Sequence, residues 1–156
     1  MSAVIASKAE SVSAQLVRTE NVELLVPKAT VAEVLSEMKL SHRVDSEAWF
    51  LGEFEWNKNR VPVISIDLLN HLTRETENRK RKFIVLNTLS TNEEDKRYYA
   101  IEAQGLPKPL IINEQSIQQQ EDSDLSEGVA YTVTIGTRIL YIPDFEALEK
   151  LAFQFC

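Results

Sequence analysis

The run Val61-Pro62-Val63-Ile64-Ser65-Ile66 constrains this chain more than any other stretch. It is dense in β-branched residues and stops in Asp67-Leu68-Leu69, so it reads as a strand that leaves into a short helical turn including Leu72 and capped by Asp67. Pro62 lacks an amide donor and predicts an edge or strand-entry position. Upstream, Trp49 to Trp56 has strand character, with Trp49, Leu51, Phe54 and Trp56 as packing residues and an imperfect phase that predicts a bulge near Gly52. Asn57-Lys58-Asn59 supplies the turn between the two. A strand pair of this kind carries no catalytic constellation and points to a β-rich interaction module.

The rest of the chain repeats the theme. Residues 1–11 are small and polar and read as a frayed tail. Gln15–Arg18 and Val22–Val26 flank Thr19-Glu20-Asn21 as a hairpin ended by Pro27. Thr30 and Glu33 have capping-box spacing, and Val31, Val34, Leu35 and Met38 recur at helical spacing, which predicts a short helix. Leu40–Ser46 reads as an irregular connection, and 73–82 as a charged, solvated connector between two halves. Phe83–Leu89 and Tyr98–Glu102 are strands joined by a turn at Ser90–Asp95, and Gly105, Pro107 and Pro109 break the pattern before Leu110-Ile111-Ile112. Asn113–Glu127 is a polar loop with one helical turn. Val129–Ile135 and Arg138–Ile142 form a hairpin around Gly136-Thr137, and Pro143-Asp144 opens a helix with Phe145, Leu148, Leu151 and Ala152 on one face. At least seven short strands with few helices exclude a doubly wound parallel sheet and favour short β-barrels.

Charge and composition narrow the function. Apolar residues make up 44% of 156 residues, a globular composition with room for one core or two small packed subdomains. The formal charge of −7 opposes non-specific binding to nucleic acid or an anionic membrane. Arg79, Lys80, Arg81 and Lys82 form the densest basic patch, offset by Glu75 and Glu77. Cys156 is the only cysteine, so an intrachain disulfide and a thiolate metal cluster are excluded and a reducing cytoplasm fits. The N-terminus lacks the apolar core of a signal peptide, and no segment approaches the ~20 apolar residues of a membrane span. His42 and His71 are the only imidazoles. His42 has Asp45 three residues on, but neither histidine has a nucleophile motif, an oxyanion site or metal-ligand spacing beside it, which leaves a small enzyme built on them the weaker reading.

The order of elements and three motifs resemble the chemotaxis coupling (CheW-like) family. Val22–Leu35, VELLVPKATVAEVL, is similar to the family's strand, short connection and V-x-E-V/I element. Gly52, the turn and Val61–Leu68 resemble its "G…G-x-x-x-P-V-x-D-L". Gly136–Leu140 with Pro143–Leu148 resembles its final hairpin and helix. The likeness implies one domain over residues 12–155, made of two intertwined five-stranded SH3-like barrels packed around an apolar seam. It implies a non-enzymatic cytoplasmic adaptor, recruited to receptor arrays, that couples the cytoplasmic tip of a methyl-accepting chemoreceptor to a CheA-type histidine kinase. No cofactor, metal, nucleic acid or direct membrane contact is implied, and weak self-association stays open.

The chain departs from the family at the turn before Val61, at Glu102–Leu106 and in the loop Asn113–Gly128, which is polar and lacks the family's apolar approach to the final hairpin. Spacing back from Pro62 puts Glu55, Trp56, Asn57 and Lys58 where the family usually has Asn-Leu-Arg-Gly, and Glu102–Leu106 lacks the family's aspartate. The chain thus looks like a divergent member, nearer the accessory coupling proteins of pilus-type (twitching) systems. The partner-binding candidates are Trp56, Asn57, Lys58, Asn59 and Arg60 at the turn, and Val31 and Glu33 at receptor-facing family positions. Ile101 and Ala103 are the candidates from the second barrel. Each has a structural alternative: core packing for Trp56, Val31, Ile101 and Ala103, a cap for Glu33, and a solvated turn for 57–60. Val61, Val63, Ile64 and Ile66 are too many for one small face, so they either expose a strand edge or fill both a barrel interior and a seam. A scaffold that binds the kinase without receptor coupling is the alternative function.

Overall fold

A computed structural model describes residues 11–74, 81–89, 97–120, 125 and 127–155. Residues 1–10 of the expected tail, the middle of the charged connector, the turn at Ser90–Asp95 and Cys156 lie outside the described residues. Among the described residues, eleven strands form two sheets and two short α-helices pack with them. The strands are β1 (Ser11–Arg18), β2 (Glu23–Pro27), β3 (Val31–Leu35), β4 (Phe50–Trp56), β5 (Asn59–Ile64), β6 (Arg81–Asn87), β7 (Tyr98–Gln104), β8 (Lys108–Asn113), β9 (Gln118–Gln120), β10 (Val129–Ile135) and β11 (Arg138–Pro143). The helices are α1 (Ile66–Leu69) and α2 (Phe145–Ala152). A six-stranded sheet runs β8-β1-β2-β11-β10-β9, and a five-stranded sheet runs β3-β6-β7-β5-β4. The first therefore joins both ends of the chain around the second. The mainly β class predicted from the strand count is the class observed.

Alternation explains the apolar runs. Val61 and Val63 of β5, Phe83 and Val85 of β6 and Ala100 of β7 point into the interior of the second sheet. Ile64, Ile84, Leu86, Tyr99 and Ile101 point the other way, into a seam shared with Val17, Leu24 and Val26 of the first sheet. Leu148 and Ala152 of α2 close that seam, and both are fully buried. Burial of each large side chain contributes roughly 1.5–3 kcal/mol, so the seam is the main bond between the sheets. A third, smaller cluster of Ala14, Leu16, Leu25, Ile112, Val133 and Leu140 fills the first sheet. Of the two readings of Val61, Val63, Ile64 and Ile66, interior plus seam is the one realised: none is more than 1% exposed.

Several local expectations need correction. Val31–Leu35 is a strand, not a helix: β3 pairs antiparallel with β6 across a bulge between Val31 and Glu33. A helix this short has little intrinsic stability, and a β-branched segment beside an open strand edge gains a ladder instead. Glu33 closes no capping box; its Oε1 accepts the Val34 amide at 3.2 Å. Pro62 sits on neither an edge strand nor a strand start, because β5 lies between β4 and β7. Its missing donor is tolerated because the β5–β7 pairing begins one residue later, at Val63↔Ala100. Ser65, not Asp67, caps α1 by accepting the Leu68 amide at 3.1 Å. Ser11 belongs to β1, Arg81 and Lys82 open β6, and Pro109 lies inside β8, an outer strand of its sheet where a prolyl residue is tolerated. The polar loop contains the expected helical turn, at Glu114–Ser116, and also the short strand β9.

The bulge expected near Gly52 is present, between Phe50 and Gly52. Gly52 has φ +137°, and a Cβ there would meet the Ser41 carbonyl oxygen at 2.7 Å. Ser41 and Glu53 exchange backbone hydrogen bonds of 2.8 and 2.9 Å, so the 40–43 segment covers the β4 edge and needs glycine beneath it.

Candidate partner-binding surface

The β4–β5 hairpin closes through two residues, with Trp56 opposite Asn59 in register. Asn57 and Lys58 both adopt left-handed backbone, φ +47° and +65°, as the tightest hairpin turns require. Asparagine tolerates that region, whereas lysine carries a Cβ cost that glycine would avoid. The Asn59 side-chain amide donates to the Asn57 carbonyl at 3.0 Å and locks the turn. Asn57 and Lys58 are exposed. Trp56 is half-buried, edge-on to Tyr98 with ring centroids 5.0 Å apart, and packs against the interior of the second sheet. It is thus chiefly a packing residue with one accessible flank.

Arg60 faces the opposite side of the hairpin. Its Nε donates to the Glu53 carboxylate, whose other oxygen accepts Arg43 Nε at 2.8 Å. The Glu53 side chain is 3% exposed while those of Arg43 and Arg60 are 41% and 67% exposed. Burial pushes the Glu53 carboxyl up, but the hydrogen bonds and charges of the two arginines outweigh it and hold it below its ordinary value. The clamp ties the 40–43 segment to the hairpin and fixes the Arg60 guanidinium at the surface beside Lys58. Sequence spacing around the turn singles out Arg60 but gives no sign of Glu53 or Arg43.

The other candidates do not join this surface. Val31, half-buried, packs on the seam, and Glu33 is exposed on β3, the opposite edge strand of the same sheet. Ile101 is fully buried and Ala103 is 2% exposed, both within the seam, so the expectation that they line a partner groove gives way to core packing. Their strand β7 lies between β6 and β5, which covers both edges. His42 and His71 are exposed. Among the described residues there is no group of three or more His, Cys, Asp or Glu that could hold a metal ion.

Two buried carboxylates, for which the sequence gives no signal, fasten one sheet to the other and so set where the candidate surfaces stand. Asp67, at α1, accepts the Thr19 hydroxyl at 3.0 Å, the Asn21 side-chain amide at 3.1 Å and the Glu20 backbone amide at 3.3 Å. All three donors belong to the β1–β2 turn of the first sheet. Glu102 of β7 accepts two hydrogen bonds from Arg74, of 2.8 and 2.7 Å, and forms an ion pair with Arg81, whose Nε is 3.0 Å away. Glu20 in turn accepts Gln104 Nε2 at 3.3 Å, which continues the network back to the first sheet. Arg74 and Arg81 are each only 16% exposed, so the ends of the charged connector are built into this junction and are not solvated.

The profile of the CheW-like domain matches residues 13–152. The chain belongs to the CheW-like family. Its fold is similar to that of the scaffolding protein TtCheW from Thermoanaerobacter tengcongensis, with a TM-score of 0.72 over 85% of this chain and 88% of that one, at 11% sequence identity. No curated protein sequence matches it. In a CheW-like frame, the β4–β5 turn and the Glu53 clamp are surface features, whereas Ile101 and Ala103 belong to the packed seam. No helix among the described residues is long and apolar enough to cross a membrane.

Proposed function

We propose that this CheW-like protein is a non-enzymatic adaptor that couples the cytoplasmic tip of a methyl-accepting chemoreceptor to a CheA-type histidine kinase. The observation that carries this reading is the family match across residues 13–152. The similar TtCheW is itself a scaffolding protein. The hairpin with Asn57, Lys58 and Arg60 is the surface we assign to partner contact: it is exposed, locked by its own turn and backed by the Glu53 clamp. In this reading the adaptor works in the cytoplasm, joins membrane arrays only through its partners, and serves a pilus-type system, for which the altered turn is the support. The domain spans residues 12–155, with its two sheets acting as one unit through the seam.

Two observations favour a second reading, a scaffold that binds the kinase alone. The turn carries Asn57-Lys58 in place of Arg-Gly, and Ile101 and Ala103 offer no surface to a receptor. Co-purification on an immobilised receptor tip, with and without the kinase regulatory domain, separates the two. Retention of the protein and kinase together supports the coupler. Kinase capture without receptor retention supports the scaffold, and failure to bind either partner overturns both.

A further inference from the structure

The inner face of the six-stranded sheet opens at one end into a cavity of about 340 Å³. Leu16 forms part of its lining, with Arg18, Lys108, Arg138 and Glu23 around it and Leu106 of the β7–β8 turn beside them. In a chain of formal charge −7, this lining holds three cations against one carboxylate. The ladder explains why the imbalance persists. Glu23 stands directly opposite Arg18 in the β1–β2 pairing, yet its carboxylate is taken by Arg138 of β11. Arg18 and Lys108 then have neither an ion pair nor a side-chain hydrogen bond among the described residues.

Lys108 is paired with Leu16 across β1–β8, and Arg18 lies two residues further along β1 on the same face. Such a diagonal places the two residues about 7–8 Å apart, a span that two long cationic side chains can close around one carboxylate. Leu106 is 68% exposed next to them. Gly105, φ +73°, in the same turn has open space where a Cβ would be. Two exposed cations without a partner among the described residues, beside an exposed leucine, match a ligand that carries a carboxylate next to an apolar side chain. A bare anion would leave Leu106 and Leu16 without a counterpart.

We propose that this mouth receives an extended acidic segment of a partner protein, with a carboxylate held between Arg18 and Lys108 and a neighbouring apolar side chain lying on Leu106. The site lies where the first sheet meets the end of β7 and the β7–β8 turn, and it does not use the β4–β5 turn, so it goes beyond the coupling function and is read separately from it.

Fluorescence anisotropy with the labelled peptide acetyl-Glu-Leu-Glu-Leu-Glu-amide tests the proposal on the full chain. The same peptide with glutamine for glutamate, inorganic phosphate and citrate serve as comparisons. The glutamate peptide is expected to bind, with a salt-sensitive affinity that falls by about tenfold or more in Arg18→Gln/Lys108→Gln, the loss expected when charge-assisted contacts are removed. Leu106→Ser is expected to weaken it several-fold with the charges intact. Both variants alter exposed side chains, and unchanged circular dichroism verifies their folding. Equal binding of the glutamine peptide, full binding by the double variant, or displacement of the peptide by equimolar phosphate or citrate would overturn the proposal. The last result would mean a free-anion site.

Discussion

The carboxylate of Asp67 accepts the Thr19 hydroxyl at 3.0 Å, and both residues are buried although 48 positions separate them in the chain. The bond joins α1, which follows strand β5 of the second sheet, to the hairpin turn that opens the first. Asp67→Ala would remove the acceptor shared by the Thr19 hydroxyl, the Glu20 amide and the Asn21 side-chain amide, leaving Thr19 and Asn21 only the Val22 and Thr73 carbonyls. We expect a loss of about 3 kcal/mol, since buried donors deprived of a charged acceptor cost about 1–3 kcal/mol each and part of the loss is recovered by water. Urea unfolding measures it. By contrast, Glu146→Gln removes an exposed pair with Lys150 and should change stability by less than about 0.5 kcal/mol.

Glu53 gives the fold an acid-sensitive clamp. Its carboxyl lies below the ordinary value of 4.5 in the folded state, so the stability it contributes is complete above that value. That contribution is lost as pH falls through the lower folded-state value. Urea midpoints of the wild type and Glu53→Gln should therefore differ most near neutral pH and converge under strongly acid conditions. A constant gap across the pH range would show that the clamp contributes through shape alone.

Tyr99 makes the opposite kind of test. Its hydroxyl is buried in the seam without a hydrogen-bond partner among the described residues, and burial, with the Glu149 charge, pushes its pKa well up. Tyr99→Phe removes an unsatisfied polar atom and keeps the ring against Phe153. The variant should match or exceed the wild type by up to about 1 kcal/mol in thermal or urea unfolding.

At the turn, stability and binding should separate. Lys58 holds φ +65°, so Lys58→Gly relieves a left-handed Cβ and is expected to stabilise the protein by about 1 kcal/mol. The same change removes a surface charge from the proposed partner face. A higher unfolding midpoint together with weaker kinase or receptor binding supports the assignment of that face; unchanged binding would point to a solvated turn.

What is legible in the sequence is what is local. Gly136 in the last hairpin and Asp144 ahead of α2 announce their elements within a few residues, and Asp144 indeed accepts the Ala147 amide at 3.1 Å. Val31–Leu35 misleads because a five-residue segment with apolar residues around one glutamate satisfies helical and strand spacing alike, and its deciding partner, β6, is some fifty residues away. The clamps on Glu53, Asp67 and Glu102 are invisible for the same reason, since nothing in the local pattern says which distant donors will close on a given carboxylate. Ile101 and Ala103 stand out by family position, but strand alternation places them in the seam. Arg60 is legible because it lies beside the turn, although the reason it is held in place lies in Glu53.

The adaptor reading stands or falls on one complex. Sedimentation velocity of the purified protein mixed with the kinase regulatory domain and a soluble fragment of the receptor tip measures it directly. The coupler predicts a single faster boundary that contains all three components and that slows when Lys58 and Arg60 are both replaced by glutamine in a variant that remains folded. A boundary containing only the protein and the kinase, with the receptor sedimenting alone, would contradict it.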